Sequence, residues 1–162
     1  MTDTLKSICE LCPHVNNPQL DFIPAQFARH REIILRDLRE IVLAASVESE
    51  KTVVILCGSV FEAILFTFLQ SQRTFIEQLR GSPFALDLEK SLQHFVGVFN
   101  TNFKKPMPNA VLPDFIFGYR DLVHINRELN SPTDICAVAS RDMLRRLDSF
   151  LQEISQFALS NP

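Results

Sequence analysis

The chain has 162 residues, of which 46% are hydrophobic and 22% are charged, and its formal net charge is −3. This composition is typical of one folded domain with a substantial core, and it excludes the disordered and low-complexity classes. A mildly acidic chain has no overall attraction for nucleic acid, so any contact with RNA or DNA would need a local basic patch.

Residues 1–23 form an N-terminal segment ahead of the main domain. Two prolines and two asparagines between positions 13 and 18 interrupt any period, so we expect a short helix followed by a loop. The segment has neither the basic start nor the apolar run of a signal peptide, and the expected location is therefore the cytoplasm.

Cys9 and Cys12 form a CxxC pair in this segment, with His14 two residues later. A closed zinc site needs four ligands, and no second CxxC or His pair supplies the others. A redox CxxC normally opens a helix after a strand, and no such setting is visible. We therefore predict a pair of thiols on a loose segment, with no metal and no cofactor.

A single bundle domain is predicted over residues 24–158, and its first amphipathic helix over 24–48. The apolar positions recur at three- and four-residue steps: Phe27, Ile34, Leu35, Leu38, Ile41, Val42 and Ala45. The positions between them carry charges of both signs: Arg29, His30, Arg31, Glu32, Arg36, Asp37, Arg39 and Glu40. Mixed signs indicate a solvated face rather than a stripe that binds nucleic acid.

The next segment, from Val53 to Leu69, is apolar on nearly every side, which is typical of a helix at the centre of a bundle. It is too long for one buried strand, and Glu62 interrupts it before the ~20 apolar residues that a bilayer requires. A carboxylate in apolar surroundings needs a cation, hydrogen-bond donors or a proton. Glu62 is therefore expected to be buried and paired.

Two further helices and a long loop are predicted before the last helix. The third helix covers 84–99, and residues 100–113 contain three prolines and no period. They should form the longest loop, and such loops often line sites. A fourth helix over 114–128 and an amphipathic last helix over 133–158 complete the chain. About five helices with short connections predict an all-α bundle.

The fourth predicted helix carries the candidate site. Arg120 and His124 are four residues apart and Asp121 is three before His124, so the three side chains share one helical face. A guanidinium can clamp phosphate oxygens, and an imidazole can move a proton near neutral pH. Arg127 extends the face by one turn, and Tyr119, the only tyrosine, lies beside it. By spacing alone, the simpler interpretation is an exposed face of ion pairs.

Residues 119–124 (Tyr-Arg-Asp-Leu-Val-His) resemble the Arg-Asn-hydrophobic-hydrophobic-His stretch of HEPN-type proteins. These are all-helical domains named from higher eukaryotes and prokaryotes nucleotide-binding. Residues 58–65 (Gly-Ser-Val-Phe-Glu-Ala-Ile-Leu) are similar to a Gly-Ser-x-x-Glu segment on an earlier helix of bacterial members. The order of the helices also matches, and the resemblance covers roughly residues 25–158.

The resemblance implies a homodimer in which two Arg/His motifs meet in one cleft. Many members are metal-independent endoribonucleases that act as toxins, in phage defence or in RNA processing. Arg120 would bind phosphate, Asp121 would occupy the polar position after it, and His124 would be the acid/base or orienting group. Glu62 would support this helix. RNA and an antitoxin or other protein are the implied partners, and no membrane is implied.

Two features of the motif leave a second function open. Three residues separate Arg120 from His124, whereas the nuclease motif usually has four to six, and Asp121 stands where Asn is common. The shorter motif is common in members whose activity is unknown. The alternative is a non-catalytic helical module that binds RNA, a nucleotide or a partner protein.

Overall fold

The computed structural model describes residues 4–87, 90–113, 116 and 135–160. Seven α-helices occupy most of these residues: α1 (Leu5–Glu10), α2 (Pro13–Asn16), α3 (Ala28–Ser46), α4 (Glu50–Ser71), α5 (Arg73–Arg80), α6 (Leu92–Phe103) and α7 (Ile135–Ser160). Two short 3₁₀ helices cover Ala25–Phe27 and Pro108–Ala110. No strand occurs in the described ranges, and the predicted all-α fold is confirmed.

The helix α4 lies at the centre of the fold and contacts α3, α5, α6 and α7. It is the one described helix that is long and apolar enough to cross a membrane. However, 61% of its apolar stretch is buried inside the protein, as in the core helix of a bundle. The prediction of a central helix over 53–69 is therefore confirmed.

Phenylalanine rings fill the space between α4, α6 and α7. The ring of Phe68 lies 5.0 Å from that of Phe103 and 6.0 Å from that of Phe157, and Phe61 lies 5.5 Å from Phe150. Tilted and edge-on ring pairs of this kind add about 0.5–1.5 kcal/mol each beyond the burial of their surface. These contacts fix the position of α6 and α7 against the central helix.

The N-terminal segment belongs to the core, which corrects the expectation of a loose chain. Seven of its apolar side chains are at most 4% exposed: Leu5, Ile8, Cys9, Cys12, Val15, Leu20 and Ile23. The helices α1 and α2 pack against α3 and α7. Positions 5, 8, 9, 12 and 15 recur at helical steps, so an apolar stripe continues across the break before Pro13.

Two carboxylates from distant parts of the chain cap α1 and α2. Glu48 accepts hydrogen bonds from the first two N–H groups of α1, at 2.8 and 3.1 Å. Asp148 of α7 accepts from the N–H groups of His14 and Val15 in α2, at 2.7 and 3.0 Å. The first N–H groups of a helix lack partners within it, so these bonds satisfy them and place negative charge at the positive end of each helix.

Glu48 makes its bonds from a left-handed backbone conformation, with φ at +55°. The helix α3 ends here, where the N–H of Ser49 donates to the carbonyl of Ala44 (2.8 Å) and that of Glu48 to Ala45 (3.1 Å). This is the Schellman pattern, in which glycine is usual because a side chain in that region costs about 1–2 kcal/mol. Glycine, however, has no carboxylate with which to cap α1.

The third predicted helix, 84–99, begins eight residues later than expected and ends four later, as α6. The helix α5 was not predicted as an element distinct from α4. It ends at Gly81, where φ is +65°. Phe84 is buried without being helical. Its N–H donates to Oε1 of Glu77 (3.0 Å), and the Arg80 guanidinium lies 5.0 Å from its ring. These tertiary contacts hold the connection in an irregular path.

The predicted loop 100–113 starts only after α6 and is firmly attached to the bundle. The side-chain amide of Asn100 donates to the carbonyl of Leu112 (2.6 Å) and accepts from its N–H (3.0 Å). Of the fourth predicted helix, 114–128, only Ile116 lies within the described residues, and it is helical and buried. The last predicted helix, 133–158, is confirmed from Ile135 onwards as α7, which ends two residues later than predicted.

Glu48→Gln should lower the free energy of unfolding near neutral pH, and this deficit should shrink on acidification. The N–H groups of Lys6 and Leu5 lower the pKa of Glu48 below its ordinary value of 4.5, because they bind the charged form. The stabilisation is therefore complete above the unfolded-state pKa and is lost as the pH falls through the lower folded-state pKa. Urea unfolding from about pH 7 to about pH 3 measures the difference.

The matched control is Glu40→Gln, which removes an exposed carboxylate of α3 that lies 3.9 Å from Nε of Arg36. Its effect should be small, because exposed ion pairs contribute little. A Glu48→Gln deficit that is no larger than the control, or that stays constant on acidification, would contradict the cap.

Candidate functional site

Five of the six predicted site residues lie outside the described residues: Tyr119, Arg120, Asp121, His124 and Arg127. The chain enters this stretch from the fully buried Ile116 and leaves it where α7 begins, so both flanks belong to the bundle. Glu62 is the one predicted member whose position the structure describes, and it lies on the central helix α4.

Glu62 is only partly buried, where full burial was expected. Ile55, Ser59, Glu62 and Phe66 follow one another at steps of four, three and four residues, so they line one face of α4. Ile55 is 41% exposed and the other three side chains are partly exposed. We call these four residues the open face of α4. A helix that is apolar all round has no polar side to mark which face stays accessible, and this explains the wrong expectation.

The open face continues into a group of rings from the first 3₁₀ helix, α3, α4 and α6. His30 of α3 stacks on Phe66, with 5.3 Å between ring centroids and 22° between ring planes. Phe27 meets both rings edge-on, at 5.7 and 6.1 Å. Phe95 of α6 lies 6.2 Å from Phe66, and His94 lies 6.1 Å from Phe95. We call these five residues the ring cluster; Phe95 is buried and the other four are partly exposed.

The mixed charges of α3 predicted a solvated His30, but this residue belongs to the ring cluster. A usable signal was present, because Phe27, His30 and Ile34 stand at steps of three and four and extend the apolar stripe. Asp37 is likewise 6% exposed rather than solvated, and Nε and Nη2 of Arg36 donate to its Oδ1 at 2.9 and 2.7 Å. The solvated face of α3 is therefore narrower than the charges indicated.

The CxxC pair has a structural role. Sγ of Cys12 donates to the carbonyl of Ile8 (3.3 Å) and lies 3.9 Å from that of Leu144. Burial raises the pKa of Cys12 to about 12, and it also raises the pKa of Cys9 and of Cys57. Thiols that stay protonated are poor nucleophiles and poor metal ligands. Within the described ranges, no group of three or more His, Cys, Asp or Glu residues could hold a metal ion.

No protein-family model, curated protein or solved structure matches this chain. Three features of the chain bear on its function: the Arg/His stretch of residues 119–127, the open face of α4 and the ring cluster. The last two share Phe66, which stands one helical turn after Glu62.

Cys9, Cys12 and Cys57 should resist iodoacetamide at about pH 8 in the native protein and react once urea has unfolded it. Only the thiolate is alkylated, and burial keeps these three thiols protonated and covered. Mass spectrometry of the digested protein measures the label at each cysteine. Glutathione in the same tube shows that the reagent is active. Labelling of Cys12 in the native protein at a rate similar to that of glutathione would contradict its buried position.

Glu62→Ala should lower the free energy of unfolding by about 1 kcal/mol or less, because the carboxylate is partly exposed to water. Leu65→Ala, three residues further along α4 at a position that is 0% exposed, should cost about 2–5 kcal/mol. Chemical denaturation of both variants and the parent chain provides the comparison. An equal loss for the two variants would show that Glu62 is anchored in the core.

Proposed function

We propose that this chain is a HEPN-like helical domain that cuts RNA without a metal, as a homodimer of the defence or toxin type. The proposal rests on the resemblance of residues 119–124 and 58–65 to that family. The observation that supports it is the position of Ser59 and Glu62. Both polar residues of the Gly-Ser-x-x-Glu segment lie on the open face of α4, where a neighbouring element or a second copy can reach them.

The proposed reaction is an internal transesterification. The ribose 2′-oxygen forms a bond to phosphorus while the bond from phosphorus to the 5′-oxygen breaks, leaving a 2′,3′-cyclic phosphate and a free 5′-hydroxyl. His124 takes the proton of the 2′-hydroxyl or returns one to the leaving 5′-oxygen. Arg120 binds the phosphate oxygens and stabilises their developing charge. Asp121 orients the imidazole, and Glu62 supports the helix.

A homodimer explains how an acidic chain can hold a phosphate. Two copies of the motif around one cleft bring together two Arg120, two Asp121 and two His124 side chains, and protonated imidazoles make this site cationic although each chain carries a net charge of −3. Arg127 adds a positive group one turn away and Tyr119 adds a ring beside it. Such a cleft holds one phosphate group without binding long nucleic acid tightly.

A second candidate function is a non-catalytic module that binds RNA, a nucleotide or a partner protein such as an antitoxin. The spacing of the motif favours it, because only three residues separate Arg120 from His124. Asp121 favours it as well, because a carboxylate beside the guanidinium repels a phosphate. The two functions differ in one respect that can be measured, which is the fate of the RNA chain.

The purified chain should cut single-stranded RNA in EDTA, leave 2′,3′-cyclic phosphate ends and spare DNA, which lacks the 2′-hydroxyl. Arg120→Ala and His124→Ala should each lower the rate by ~10²–10⁴, the range for the loss of one charge-stabilising or acid/base group. Asp121→Asn should lower the rate if the carboxylate orients His124 and raise it if the carboxylate repels the phosphate. Gel analysis of end-labelled RNA measures all three variants.

His14→Ala is the matched control, because His14 lies on α2 and its N–H bond to Asp148 belongs to the backbone. This variant should cut at the parental rate. Intact RNA after incubation with the parent chain would overturn the nuclease and leave the binding module. A chain that is monomeric by light scattering at tens of micromolar would overturn the shared cleft.

A further inference from the structure

The ring cluster is more exposed than the centre of the aromatic core. In the core between α4, α6 and α7, Phe61, Phe68, Phe99, Phe103 and Phe150 are each at most 1% exposed. In the ring cluster, four of the five rings remain partly exposed. Burial of aromatic surface is favourable, so rings from four elements that contact one another and remain partly exposed form a surface on which a ligand can bury more of them.

The residue types at this surface are those that bind nucleobases. Phenylalanine and histidine are among the side chains on which unpaired bases stack in RNA-binding proteins. The cluster offers two Phe and two His rings that are partly exposed. The flat pairing of His30 with Phe66 shows that stacked geometry is already present at this place.

The charges around the cluster argue against a surface that works mainly through phosphate attraction. Arg31 is paired with Asp21 at 2.9 Å, and Glu62 stands one helical turn from Phe66 on α4. The whole chain is acidic. Stacking of a base on an aromatic ring does not involve the phosphate, so an acidic surface can still take part in it. A base is therefore a better fit to this surface than a row of phosphates.

We infer that the ring cluster binds an unpaired nucleobase of single-stranded RNA, with His30 and Phe66 as the principal stacking residues. The inference rests on the proposed function for the identity of the nucleic acid, and it assigns the base to a surface next to the open face of α4. In the proposed site the Arg/His motif handles the phosphate, whereas the ring cluster holds a neighbouring base.

The first test uses the unmodified chain and the ring C–H signals of its four histidines in two-dimensional NMR. Adenosine 5′-monophosphate should move the His30 and His94 signals in a saturable way, because a stacked base shifts nearby protons by its ring current. The signal of His14, which lies on α2 outside the cluster, should stay in place. Ribose 5-phosphate carries the same sugar phosphate without a base and should leave His30 unchanged.

The second test compares two matched variants, Phe66→Leu and Phe75→Leu. Phe75 is also a partly exposed ring, stacked at 22° on Phe103, but it lies outside the cluster. The ligand is a fluorescent 2′-O-methyl RNA of about ten nucleotides, which cannot be cut because it has no free 2′-hydroxyl. Phe66→Leu should raise the Kd by about 5- to 100-fold, the range for one base–aromatic stack, and Phe75→Leu should leave it unchanged.

The outcomes separate this inference from the proposed function. RNA cleavage in EDTA without any movement of the His30 signals overturns the ring cluster as a base site and leaves the nuclease. Movement of the His30 signals without cleavage overturns the nuclease and leaves the base site. Equal shifts with ribose 5-phosphate, or equal losses of affinity in the two variants, also overturn the inference.

Discussion

The fold depends on one constraint, which is that a helix with apolar side chains almost all round must be enclosed. The helix α4 meets it through contacts with α3, α6 and α7, and the phenylalanine contacts of Phe61 and Phe68 lock two of those helices in place. Enclosure is incomplete along one face only, from Ile55 to Phe66. Ser59 and Glu62 stand on that face, so the packing of the core determines where these two polar side chains are accessible.

A second set of interactions closes the bundle at its N-terminal side. The helices α1 and α2 have six and four residues, which is too short for stability in isolation. Their buried apolar side chains and the carboxylates of Glu48 and Asp148 hold them in place. The turn after α3 therefore has two roles, because Glu48 both ends one helix and caps another. The left-handed backbone at Glu48 is a local cost that a contact 43 residues away in sequence offsets.

Periodicity predicted the long helices α3 and α7, and the length of a nearly continuous apolar run predicted α4. Periodicity failed where tertiary contacts decide the outcome. The sequence pattern predicts Phe84 to be part of a helix, but its N–H donates a hydrogen bond to Glu77 and the residue lies in the connection between two helices. Which face of α4 stays open depends on neighbouring helices, so the exposure of Glu62 could not be inferred from its own segment. The ring cluster brings together residues 27 to 95, and no local pattern contains that information.

The caps of the N-terminal helices also set an order for folding during synthesis. The bond from His14 to Asp148 spans 134 residues, and that from Ser155 to Gln19 spans 136. At about 5–20 residues per second, a ribosome needs roughly 7–27 s to make the chain between His14 and its partner. During this interval the sides of α1 and α2 that pack against α7 have no partner, although their contacts with α3 can already form. The packing of α1 and α2 is thus completed only after α7 has been made.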